Sequence, residues 1–101
     1  MKTPAAPLHL SNEMKAFWQS VNRDFELESD ALLILRAACE NWDRAQQARE
    51  AIRRDGLTLG GRRHPAVDIE KQAYGLFLRS LRQLALDIVA PDSGMPVGKR
   101  M

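Results

Sequence analysis

The stretch SDALLILRAACENWDRAQQAREAIRRDG, residues 29–56, decides the fold. Ala31, Leu35, Ala38, Trp42, Ala45 and Ile52 return at multiples of three or four residues, and Leu32 and Cys39 widen the stripe. That is the period of an amphipathic helix. Ser29 or Asp30 is the expected cap at its start. The helix is expected to reach Arg54, with Gly56 just beyond as a residue that accepts positive φ. Its length would be roughly 37 Å at 1.5 Å per residue, long for so short a chain. Arg53 and Arg54 fall in the last turn, where cations favour the negative helix end.

Toward the N-terminus, Phe25 to Ser29 reads as a short connection, preceded by a first helix. Ser11 supplies an N-cap oxygen, Glu13 suits the positive helix end, and Met14, Phe17, Trp18 and Val21 form an apolar stripe ending near Asn22 or Arg23. Residues 1–10 contain Pro4 and Pro7 among small residues and are expected to form a mobile arm. Toward the C-terminus, residues 56–64 read as a loop with a short extended piece at Leu57–Leu59. Pro65 suits the first position of a third helix, and His64 the N-cap before it. Ile69, Ala73, Leu76, Phe77, Ser80, Leu81, Leu84 and Ile88 share one face of that helix. Gly75 inside it costs about 1 kcal/mol relative to alanine and is expected to mark close contact with another helix. Pro91 ends the helix. The expected architecture is all-α, with three helices, two of them long. It has an arm at 1–10, one helical domain at 11–90 and a flexible tail at 91–101. Trp18, Leu35, Trp42, Ile52, Leu76, Phe77 and Leu84 are the expected core and subunit-contact residues.

The chain has 101 residues, enough for one small domain. No apolar run approaches the roughly 20 residues that cross a bilayer. The N-terminus lacks a signal-peptide pattern, and the single cysteine, Cys39, has no partner for an internal disulfide. These features point to a reducing cytosol. Charge is unevenly spread. Up to Asp43 acids outnumber bases seven to four, and from Arg44 onward bases outnumber acids eleven to six. A one-sided basic half is what a phosphate-binding surface needs, and is equally what a solvated face carries.

Residues for catalysis are sparse. His9 and His64 are far apart, neither has a second histidine or cysteine at ligand spacing, and one cysteine cannot complete a zinc site. Cys39 lies on the apolar stripe, as a small hydrophobe does. The run Gly56-Leu57-Thr58-Leu59-Gly60-Gly61-Arg62-Arg63 has the glycine spacing of a P-loop. It places arginines where the motif requires lysine and then serine or threonine, and it follows a helix rather than a strand. Nucleotide hydrolysis is therefore rejected, while the arginine pair remains suited to DNA phosphates. No cofactor or metal is expected. Trp18, Trp42, Phe17, Phe25 and Phe77 fall mostly on apolar faces and read as packing rather than base-stacking residues.

The order of these features resembles the terminase small subunit family of bacteriophages with cohesive ends. The likeness is carried by Ala16, Phe17 and Trp18 in the first helix and by Leu35, Cys39, Glu40, Trp42 and Ala45 in the second. It continues through the ending Ile52-Arg53-Arg54-Asp55-Gly56-Leu57, the glycine-basic loop, His64-Pro65, and Ala73, Leu76, Leu81, Leu84 and Leu86. It spans about Leu10 to Leu86. It departs at the end, where the family often closes with Leu-Gly-Leu and a proline-serine segment, and this chain has Leu84, Ala85, Leu86 and then Asp87 to Pro91. The resemblance implies a non-catalytic, ring-forming homo-oligomer in the host cytoplasm. It would bind double-stranded viral DNA at packaging initiation and recruit and regulate the large terminase subunit, which carries the ATPase and nuclease. An HNH endonuclease of the same phage is a further implied partner. The expected DNA contacts are Arg53, Arg54, Arg62 and Arg63, brought to one edge by a turn at Gly56, with Lys99 and Arg100. The competing readings are a small helical DNA-binding transcription regulator and a helical adaptor that binds only protein. The first would need a short recognition helix, which the long second helix fits poorly.

Overall fold

The computed structural model describes residues 4–84 together with the short strands Ile88–Val89 and Pro96–Val97. Three helices dominate: α1 (Asn12–Asp24), α2 (Ser29–Asp55) and α3 (Pro65–Leu84). Between α2 and α3 stands a small antiparallel hairpin of β1 (Thr58–Leu59) and β2 (Arg62–Arg63). Helices α2 and α3 pack antiparallel. Their register shows in Arg49 meeting Glu70 while Trp42, two turns earlier in α2, meets Phe77, two turns later in α3.

Helix α1 closes the open end of this pair. Its stripe Met14, Trp18 and Val21 is buried, and Phe17 reaches Phe77 with ring centroids 6.4 Å apart. The core is one cluster built on Trp42, Phe77, Met14, Leu35, Leu81 and Cys39. Trp42 is its hub. Its ring lies 5.1 Å from Phe77 and 6.2 Å from Tyr74, and its indole N–H donates to Glu13 at 3.2 Å. Each large apolar side chain buried here contributes roughly 1.5–3 kcal/mol.

Ser11 caps α1 as its sequence implies, accepting from the Met14 amide at 3.1 Å. It also ties α1 to α2, since its hydroxyl and its backbone N–H both donate to the Asp43 carboxylate, at 2.6 and 2.8 Å. The α2 cap differs from expectation. Glu28, with extended backbone and no side-chain bond to the helix, holds the cap position, and Ser29 is already helical. The Asp30 carboxylate takes its bond from the next amide, Ala31, at 2.9 Å.

The N-terminal segment, expected as a mobile arm, makes several contacts with the helices over residues 4–10. Trp18 donates its indole N–H to the Pro4 carbonyl at 2.9 Å, His9 Nε2 lies 2.7 Å from Glu40, and Leu10 is buried in the core. The physical cause is Trp18, whose polar edge needs an acceptor once its ring is buried. At the other end α3 is described to Leu84, and Ile88, expected on its apolar face, lies in a strand. The β-branched pair Ile88–Val89, β3, instead joins Pro96–Val97, β4, in an antiparallel pair, so the expected tail is in part paired strand and the fold is mostly, not wholly, helical. Ile52 and Leu84 are half-buried, and Ile69 and Leu76 are exposed at 44% and 41%, off the protomer core. Gly75 meets no second helix, because a Cβ built there would find nothing within 4 Å. No helix among the described residues is long and apolar enough to cross a membrane.

Candidate nucleic-acid interface

The basic edge expected from sequence is built around the β1–β2 hairpin. Gly60 and Gly61 form its two-residue turn with φ of 61° and 78°. Two successive positive φ values match the turn whose twist suits paired strands, and only glycine adopts both freely. Thr58 pairs with Arg63 and Leu59 with Arg62. Successive strand residues face opposite sides, so Arg62 and Arg63 project to opposite faces of the hairpin. This corrects the expectation that both arginine pairs line a single edge.

His64 anchors the hairpin to both long helices. Its backbone N–H donates to the Leu57 carbonyl at 2.9 Å, closing the hairpin base. Its Nδ1 accepts the Ala66 amide at 3.0 Å, capping α3, whose first residue is Pro65. Its Nε2 lies 3.0 Å from Asp55 at the end of α2. An amide N–H can only donate, so Nδ1 carries no proton. The ring proton therefore sits on Nε2 and is donated to Asp55. His64 is 7% exposed, and each ring nitrogen has one partner. The Arg54 guanidinium, and after it His64, hold the Asp55 carboxyl below the usual aspartate range. This contribution to stability is present above the aspartate's ordinary range and is lost as pH falls through its lowered value.

The arginines themselves are largely engaged. Arg53 turns back along α2 to Glu50 at 2.7 Å, Arg54 holds Asp55 at 3.1 Å, and Arg63 holds Asp68 of α3 at 2.9 Å. Only Arg62 of the four has no acidic partner among the described residues. The Arg53–Glu50 and Arg63–Asp68 pairs are largely open to solvent and worth about 0–1 kcal/mol each, so a phosphate competes with them readily. The local charge is nonetheless lower than the sequence suggests. Lys99 and Arg100 lie outside the described residues.

Sequence reasoning missed a second group of cations. Lys71, Arg79 and Arg82 are exposed along α3, and none has an acidic partner among the described residues. The available signal was their helical spacing on the side opposite Ala73, Phe77 and Leu81. Beside them, an open groove of about 460 Å³ runs between α2 and α3, lined by Arg44, Ala48, Ala51, Ile69, Ala73 and Leu76 among others.

For chemistry the arrangement offers little. Among the described residues no group of three or more His, Cys, Asp or Glu is placed to hold a metal ion. Cys39 is buried, and that burial, reinforced by Asp43 and Glu40, pushes its thiol up to about 12. A thiol so far from ionising is a poor nucleophile. Comparison of the chain with family models, with curated proteins and with solved structures finds no match among any of the three.

Proposed function

We propose that this chain is a non-catalytic DNA-packaging adaptor of the terminase small subunit kind. It binds viral double-stranded DNA at packaging initiation, works as a homo-oligomer in the host cytoplasm, and presents that DNA to the large terminase subunit, with an HNH endonuclease of the same phage as a further partner. The observation that carries the reading is the hydrogen-bonded hairpin at the basic end of the α2–α3 pair. It projects Arg62, which has no acidic partner among the described residues, into solvent and is fixed to both helices through His64. The exposed Ile69 and Leu76 beside the α2–α3 groove supply an apolar face for a second copy. A hairpin held in this way meets phosphates without first ordering a loop, which lowers the entropic cost of binding.

The experiment is duplex binding by the full chain at several salt concentrations, with R62E/R63E beside the parent. The expected outcome is salt-sensitive binding by the parent. The variant binds more weakly and with a flatter salt dependence, at unchanged oligomeric mass. Each phosphate left unneutralised reduces the slope of log affinity against log salt by about 0.9. A variant that binds as well as the parent reduces the hairpin to a solvated turn.

A further inference from the structure

We infer that the outer face of α3 is a second contact surface for the phosphate backbone of duplex DNA, with Lys71, Arg79 and Arg82 as its cations and the hairpin's Arg63 at its head. The inference rests on the reading of this chain as a duplex-binding protein and adds a surface beyond the hairpin.

From Lys71 to Leu84 the helix contains three cations and two glutamines, Gln72 and Gln83, and no carboxylate. At about 100° per residue, Asp68, Lys71, Gln72, Gly75, Arg79 and Arg82 fall within one sector, opposite the buried Ala73, Phe77 and Leu81. All but Gly75, which is half-buried, are exposed. Asp68 begins the sector, and its carboxylate is engaged by Arg63 at 2.9 Å. That ion pair sets the hairpin's Arg63 on the face that α3 continues.

The charge state of α3 separates it from the arginines at the end of α2. Arg53 and Arg54 each hold a carboxylate already, so a phosphate arriving there must displace an acid. Lys71, Arg79 and Arg82 hold none among the described residues, so a phosphate there displaces only diffuse counterions. Release of condensed counterions from the duplex is what drives such binding. A merely solvated face mixes both signs of charge. This one carries a single sign from Lys71 onward.

Geometry selects a polyanion over a small ion. The three cations diverge along a line and do not converge on one point. Lys71 and Arg82 are separated by about 16 Å of helix rise, a length that covers roughly five base steps of duplex at 3.4 Å each. Gly75 sits at the middle of the row, and nothing lies within 4 Å of where its Cβ would be. The missing side chain leaves a shallow saddle where a backbone can lie closest to the helix.

The test uses the full chain and a fluorescently labelled duplex of arbitrary sequence, with anisotropy followed across a salt series. The triple variant K71Q/R79Q/R82Q removes the charges at exposed positions. Its affinity is expected to fall at least tenfold, and its salt slope to be shallower by about 2–3 than that of the parent. A second variant, Gly75→Glu, places a carboxylate in the saddle. It should weaken binding several-fold while raising helix stability, so weaker binding by this protein cannot be ascribed to unfolding. Inorganic phosphate at millimolar concentration should not compete, and competition by it would overturn the assignment to a backbone track. If the parent binds duplex and both variants match it in affinity and slope, this inference fails while the reading of the hairpin stands. If the parent shows no salt-dependent duplex binding, the underlying reading fails and the inference with it.

Discussion

His64 joins three elements through one neutral ring, and replacing it dissects that role. In His64→Ala, α3 loses the acceptor for its Ala66 amide, which costs about 1 kcal/mol. The nearly buried ring also leaves a void at the hairpin base, adding about another 1 kcal/mol. The sum of about 2 kcal/mol is a sizeable share of the roughly 5–15 kcal/mol that holds a domain of this size. His64→Asn returns a side-chain acceptor to the N-cap position but does not reach Asp55, so it should recover about half of the loss. His64→Gln can reach toward Asp55 but is a poor N-cap, and should behave as alanine does. Urea denaturation followed by circular dichroism measures all three. In the native protein, nitrogen NMR of the imidazole should show a protonated Nε2 and a bare Nδ1. Equal stability of the alanine and asparagine variants, or a proton on Nδ1, would refute the reasoning.

Other expectations follow from single sites. Trp42→Ala removes the ring that contacts both Phe77 and Tyr74 and should cost about 3–5 kcal/mol, and a loss below about 1 kcal/mol in urea denaturation would contradict its place as the hub. Gly75→Ala should stabilise the chain by about 0.5–1 kcal/mol, since the site is helical with open space around it, and thermal denaturation reads the gain. Gly61→Val forces a β-branched residue to a φ of 78° and should melt the hairpin while leaving helix content intact, as amide exchange at residues 58–63 would show. Cys39 should resist aromatic disulfide reagents at pH 8 until the chain unfolds. Stability should fall as pH rises above about 9, because the unfolded thiol ionises there while burial keeps the folded one protonated to about 12.

Much of this architecture could be read along the chain, for reasons that differ by element. The α2 stripe is long enough that its period is unambiguous, and Gly56 ends it with a φ of 87° that other residues rarely adopt. The β1–β2 hairpin escaped notice as a hairpin because each strand has two residues, too few to show alternation. Its signal was the Gly60-Gly61 pair itself, a strong marker of a two-residue turn. The attachment of residues 4–10 was not readable, since the Trp18 bond to the Pro4 carbonyl exists only once both are folded together. The same holds for Arg63, whose partner Asp68 comes near only through the hairpin turn. By contrast, the Glu50–Arg53 pair follows from spacing on one helix and lowers the charge that Arg53 offers a phosphate. The α3 cations are scattered along the sequence, unlike the adjacent arginines at 53–54 and 62–63, and only their helical phase brings them to one face.

The proposed gathering of many copies of this chain around DNA is tested most directly by the mass of the full chain in solution. Light scattering coupled to gel filtration at micromolar concentration should return a single homogeneous species of more than four copies. Closed rings arise from repeated contacts between non-identical faces, and the exposed apolar residues Ile69 and Leu76 offer one such face. A stable monomer of 11.4 kDa under these conditions would contradict the account.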